Sequence, residues 1–178
     1  RFYILFKEAA KAENMDWLME GQNDSHEFMM FFIDTLHKAI STDISDRTDI
    51  DFVKYNGGKT SCTLSYDCDE TDKSLSSRLE EMSKANWCLH FAKEYHHTLT
   101  QMFHGQFLTI ISSKASRERS FSFDPFSSIN IAVPTMGKSG LTIQDCLDKY
   151  FSAEILQGSD QWESPTAGKV NASRATRI

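Results

Sequence analysis

Residues 21–40, GQNDSHEFMMFFIDTLHKAI, decide how the rest of the chain is read. Phe28, Phe32, Leu36 and Ile40 recur at every fourth position, and Met29 and Ile33 widen the stripe. That spacing predicts an amphipathic helix over 24–40 with one apolar face. Just before the stripe come two amides, a serine, a histidine and two carboxylates, a density of polar groups that needs a reason. Asp24 is placed to cap the helix and Glu27, three residues on, to reach back to it, as in a capping box. Capping contributes about 1 kcal/mol and accounts for Asp24 without any ligand. It leaves Gln22 as a solvated loop residue.

Working outward, residues 2–12 predict a second helix with Phe2, Leu5, Phe6 and Ala9 on one face. From 41 to 73 the periodicity stops in favour of Asp, Ser and Thr, and Asn56-Gly57-Gly58 signals a turn within a short hairpin at 50–66. A helix resumes over 74–94 with a break near Asn86, and a further turn at 98–103 ends on Gly105 as its C′ residue. The period then changes from helical to alternating. Residues 107–111, 119–123 and 128–133 predict strands, the last closed by Pro134. TIQDCLDKYF, 142–151, predicts a short helix with Ile143, Leu147 and Tyr150 or Phe151 on one face. By its own residues the segment from Gly158 is loop-like and then basic. Helices followed by strands define an α+β layout.

Composition narrows the function classes. The chain has 178 residues, enough for one domain with its own core. A net charge of −6 offers no basic patch on which nucleic acid would bind. No run of apolar residues is long enough for a membrane span or a signal-peptide core. The first residue is Arg and the chain is helix-like from the start, the pattern expected of a piece of a longer protein. Cys62, Cys68, Cys88 and Cys146 fit neither a disulfide scaffold nor a Cys-x-x-Cys pair. They read as reduced thiols, which points to the cytoplasm or the nucleus. Cys88 and His90 are two apart, a spacing that separates them on a helix. The acidic run 67–72 lacks the pattern of a calcium loop.

Four stretches, in order, carry a family resemblance. GQNDSHEFMMFFIDTLHKAI resembles the Gln-x-Asp-x-x-Glu-Phe box of the ubiquitin-specific proteases, papain-like thiol enzymes that remove ubiquitin. MFHGQFLTIISSKASRERSFSFDPFSSINIAVP resembles that family's Phe-x-Gly-Gln turn and the strands after it. LTIQDCLDKYFSAEIL is similar to its sheet-capping helix, and WESPTAGKVNASRATRI to the lead-in to its central strands. Residues 41–86 match no family segment.

The resemblance implies a hand-like α+β fold that grips ubiquitin, present here as an incomplete domain. Residues 1–40 and 74–104 would be thumb helices, 41–73 an insertion, and 105–178 antiparallel strands of the fingers. It further implies that Gln22, Asp24 and Glu27 line the groove for ubiquitin's extended, arginine-bearing C-terminal tail. The family's Cys and His boxes have no counterpart in the chain, so no catalytic residue is expected in it. The chain would instead supply binding surface to a deubiquitinating thiol hydrolase. Its partners would be ubiquitin and a ubiquitinated protein, with no nucleic acid and no membrane. A catalytically inactive ubiquitin-binding or scaffold protein of the same descent is the alternative. Most of the family holds a zinc ion between two Cys-x-x-Cys pairs at the fingertips. The matching positions here are Ser113, Ser116, Ser164 and Ala167, so no metal and no cofactor are expected. The fingertips would then rely on strand pairing and on Phe121, Phe123 and Phe126.

Overall fold

The N-terminal periodicities fold as helix α1, Phe2–Ala12, and helix α2, Ser25–Ile40. The computed structural model describes residues 1–14, 24–43, 61–65, 72–91, 97–133 and 140–178. The chain divides into two units, Arg1–Ser41 and Thr42–Ile178. In the first, the ring of Phe6 meets those of Phe28, Phe31 and Phe32 at centroid distances of 5.1, 5.3 and 6.1 Å. Phe6, Ala10 and Phe31 form the buried cluster. Both helices bury part of the predicted face, Phe6 in α1 and Ile33 in α2, together with residues outside it. Leu5 is 57% exposed, and Phe28, Leu36 and Ile40 are exposed, whereas Phe31, Ile33 and His37 are buried. At about 100° per residue, Phe31 and Ile33 lie on nearly opposite sides of α2. The helix therefore buries two sides, which a single-stripe reading cannot anticipate.

The second unit is built on a five-stranded antiparallel sheet in the order β1-β3-β2-β7-β4, with a separate two-stranded pair β5-β6. The strands are β1, Ser61–Ser65; β2, Gly105–Ser113; β3, Glu118–Phe126; β4, Glu154–Leu156; β5, Trp162–Ser164; β6, Gly168–Val170; and β7, Ala172–Arg177. Helix α3, Asp72–Phe91, and helix α4, His97–Phe103, precede β2; helix α5, Ile143–Tyr150, precedes β4. Helices with an antiparallel sheet make the chain α+β, as the element order predicts.

Several local expectations change. Residues 50–60 of the predicted hairpin lie outside the described residues, and Ser61–Ser65 pairs with β3. Helix α3 runs through Asn86 without a break, because the Asn86 amide donates to Gln106 Oε1 at 2.8 Å. Gln106 Nε2 donates back to the Ser83 carbonyl and hydroxyl, both at 3.1 Å, so one side chain clasps α3 to the start of β2. Residues 128–133 form no strand. The β2–β3 ladder ends at the pair Gly105–Phe126, and a strand beyond it would have no partner on β2. From Gly158 onward the chain is not loop-like, since β5, β6 and β7 lie there. Helix α5 buries Cys146 and leaves Ile143 71% exposed. Its start is a full capping box of Thr142 and Asp145, which holds the Asp145 carboxyl below its ordinary range through the Thr142 hydroxyl and N–H.

Pro125 sits inside β3 at a tolerable place. Strand β1 pairs only with residues 118–122, so no described strand needs an N–H from residue 125 on that side.

Gly105 opens β2 two residues past the end of α4 and does not terminate that helix in a left-handed conformation. Its backbone is outside the left-handed region, so what it supplies is space. A Cβ there would meet the Phe126 ring at 2.6 Å, and that ring stacks on Phe107 at 4.1 Å. Phe107 in turn contacts Tyr150 and Phe151 at the end of α5. Gly105→Ala is expected to lower stability by about 1–3 kcal/mol through overpacking. A reduced urea midpoint at unchanged m-value checks this.

Candidate functional site

Two places carry the residues singled out in the sequence. The first is the start of α2. Asp24 is the N-cap, and its Oδ1 accepts from the backbone N–H of His26 at 2.7 Å and of Glu27 at 3.4 Å. The reciprocal bond from Glu27 does not form among the described residues, so the box is a single-sided cap. Asp24 and Glu27 are both exposed, and neither has an ion-pair partner among the described residues. Two carboxylates thus face solvent at a helix N-terminus, one already fixed in orientation by the backbone. Gln22 lies outside the described residues.

The second place is the end of the sheet, where the β2–β3 turn and the β5–β6 turn bring Ser113, Ser116, Ser164 and Ala167 together. The two turns share a pattern. Ser113 Oγ accepts from the N–H of Ser116 at 3.4 Å, and Ser164 Oγ accepts from the N–H of Ala167 at 3.0 Å and of Thr166 at 3.2 Å. Each turn closes on a left-handed residue, Arg117 at φ 55° and Gly168 at φ 67°. Each serine also donates outward: Ser113 Oγ to the Asn171 carbonyl at 2.8 Å, Ser164 Oγ to the Glu118 carboxylate. Ser113, Ser164 and Glu118 are buried, Glu118 to 5% exposure.

This donor set does not fit a zinc ion. Zinc needs thiolate, imidazole or carboxylate ligands. The hydroxyls of Ser113 and Ser164 are committed to carbonyl, carboxylate and N–H partners, and Ala167 offers a methyl group. Ser116 Oγ is buried without a hydrogen-bond partner among the described residues, a lone neutral donor. No group of three or more His, Cys, Asp or Glu side chains that could hold a metal occurs among the described residues.

Glu118 is the residue that sequence reasoning missed. It reads as one more charged position alternating with Phe in RERSFSF. Only the register, which sets it opposite Ser113, puts it between the two turns. The Ser164 hydroxyl holds its carboxyl below the ordinary value of 4.5, against the opposing effect of burial.

The cysteines have no such setting. Cys62, Cys88 and Cys146 form no disulfide among the described residues. Cys88 borders a cavity of about 330 Å³ with Ser83, Lys84, Trp87 and Gln106. Burial pushes its thiol up from 9.0, whereas an activated nucleophile needs it lowered. No helix among the described residues is long and apolar enough to cross a membrane.

With the geometry in hand, the comparisons are informative. The chain is 28% identical over 172 residues to the probable ubiquitin carboxyl-terminal hydrolase 4 of Schizosaccharomyces pombe, covering 94% of this chain and 26% of that protein. It is 24% identical over 171 residues to ubiquitin carboxyl-terminal hydrolase 4 of Saccharomyces cerevisiae, covering 96% of this chain and 17% of that protein. It is 26% identical over 155 residues to ubiquitin carboxyl-terminal hydrolase Usp2 of Drosophila melanogaster, covering 86% of this chain and 13% of that protein. No family model matches. The chain is thus similar along most of its length to proteins named ubiquitin carboxyl-terminal hydrolases, and it spans about a quarter or less of the length of these relatives.

The lowered value at Glu118 has a definite sign. A carboxyl whose folded-state value lies below its unfolded value contributes stability above pH 4.5, and loses it as the pH falls through the folded-state value. Ser164→Ala removes the largest cause of the lowering. Thermal melts from about pH 7 down to about pH 3 should show the variant destabilised most near neutral pH, with its gap to the parent chain narrowing as the pH falls through the parent's folded-state value.

Proposed function

We propose that this chain supplies ubiquitin-binding surface to a thiol-dependent hydrolase that cleaves the isopeptide linkage at ubiquitin's C-terminus, and that it does not itself carry the nucleophile or its base. The observation that supports this most is the near end-to-end match to proteins named ubiquitin carboxyl-terminal hydrolases. The raised, half-buried Cys88 thiol, with His90 exposed two residues on, agrees with a chain inactive by itself. In this reading residues 1–40 and 74–104 belong to the thumb of the family's hand, 105–178 to its fingers, and 41–73 to an insertion.

Gln22, Asp24 and Glu27 take the ubiquitin tail. The chemistry suits it: an extended peptide offers backbone N–H groups, and its arginines offer guanidinium forks that pair with carboxylates. Asp24 Oδ1 is engaged by the helix, which leaves Oδ2 for a ligand; Glu27 has both oxygens available.

A titration of isotope-labelled ubiquitin with the chain, followed by NMR, is the test. Chemical-shift changes are expected to concentrate in the ubiquitin tail. Asp24→Asn keeps a capping side chain but removes the charge, and Glu27→Gln does the same at its position. Each should weaken binding about tenfold, equivalent to roughly 1.4 kcal/mol. Full affinity in both variants would leave Asp24 as a cap alone. No binding by the folded parent chain would overturn the reading. Binding by the chain, with no hydrolysis by the protein that contains it, would favour the inactive scaffold.

A further inference from the structure

The β5–β6 pair poses a mechanical problem. Each of its strands has three residues, and no backbone ladder joins it to the five-stranded sheet. An isolated hairpin of that length is not stable in water. Something other than strand pairing must hold it, and a zinc ion does not fit the residues between the turns.

We infer that the Glu118 carboxylate is the cross-link at this end of the sheet, tying the β5–β6 hairpin to the β2–β3 turn in place of a metal. Four observations carry this. First, Glu118 and Ser113 are opposite one another at the last pair of the β2–β3 ladder. Second, that single pair makes both polar attachments to the other segment: Ser113 Oγ to the Asn171 carbonyl, and Glu118 to Ser164 Oγ. Third, Ser164 passes the attachment into its own turn by accepting the N–H groups of Thr166 and Ala167. Fourth, all three side chains are buried, Ser164 to 3% and Ser113 fully, so water does not compete at these bonds.

The charge is the part that matters. A hydroxyl donating to an ionised carboxylate makes a bond about twice as strong as one between neutral groups. A buried carboxylate left without donors is strongly disfavoured. The hydroxyl of Ser164 therefore holds the turn and satisfies the carboxylate at once. A cysteine at 113 or 164 would supply a thiolate for a metal; the serine supplies a proton for a carboxylate. The same two turns are thus joined with the signs of donor and acceptor exchanged.

Native-state hydrogen exchange on the whole chain tests this, read at the amides of Glu163, Lys169 and Thr166, with Leu108 and Ile110 as controls in the five-stranded sheet. Glu118→Ala is expected to lower protection at the three hairpin amides at least tenfold and leave the controls unchanged. If that variant does not fold, Glu118→Gln, which keeps the shape and one acceptor, is expected to lower the same amides several-fold. A chelator is expected to change nothing, and titrated zinc to leave no bound metal by native mass spectrometry. Unchanged hairpin protection in both variants would overturn the inference. So would uptake of one zinc ion that raises protection at Thr166.

Discussion

The ring of Phe126 occupies the space that a side chain at residue 105 would fill, and the second unit is organised around that close approach. Because the ring lies over Gly105, it can stack on Phe107, and Phe107 can meet the end of α5. One residue later, Gln106 faces the other way and clasps α3 through Ser83 and Asn86. Two adjacent positions on β2 thus secure a helix on each side of the sheet. Neither contact is large, but each fixes a direction, and the ladder from Gly105 to Ser113 carries that alignment to the far end, where the two turns meet.

At that far end hydrogen bonds, not a metal, join the two turns in the inferred arrangement. A tetrahedral metal accepts several anionic ligands and draws the strands together by charge. Here one anion accepts from a neutral hydroxyl, that of Ser164. In each turn a side-chain oxygen accepts an N–H three residues on. What differs is which partner holds the negative charge.

Much of the fold is legible in the sequence. The three-fold and four-fold spacing at 2–12 and 24–40 produces helices, the alternation around 107–111 and 119–123 produces paired strands, and TIQDCLDKYF is a helix. The misreadings share one cause: they concern which partner a residue meets. Asn86 looks like a helix breaker until Gln106 lies opposite it. Residues 128–133 have strand composition but no neighbouring strand. Phe31 and His37 are buried on α2 outside the stripe that the spacing defines. Glu118 is the sharpest case, since its importance comes from register alone. By contrast the capping role of Asp24 is local, needs only the N–H groups two and three residues on, and is readable from spacing.

Pro125 has a consequence beyond its own strand. Among the described residues the end of β3 extends past β1, and a strand end without a neighbour is a template on which a second chain can add its own backbone. Proline at that position cannot donate the N–H that such an addition requires. The break that the ladder tolerates from within therefore also withholds one of the donors that such an added strand would need.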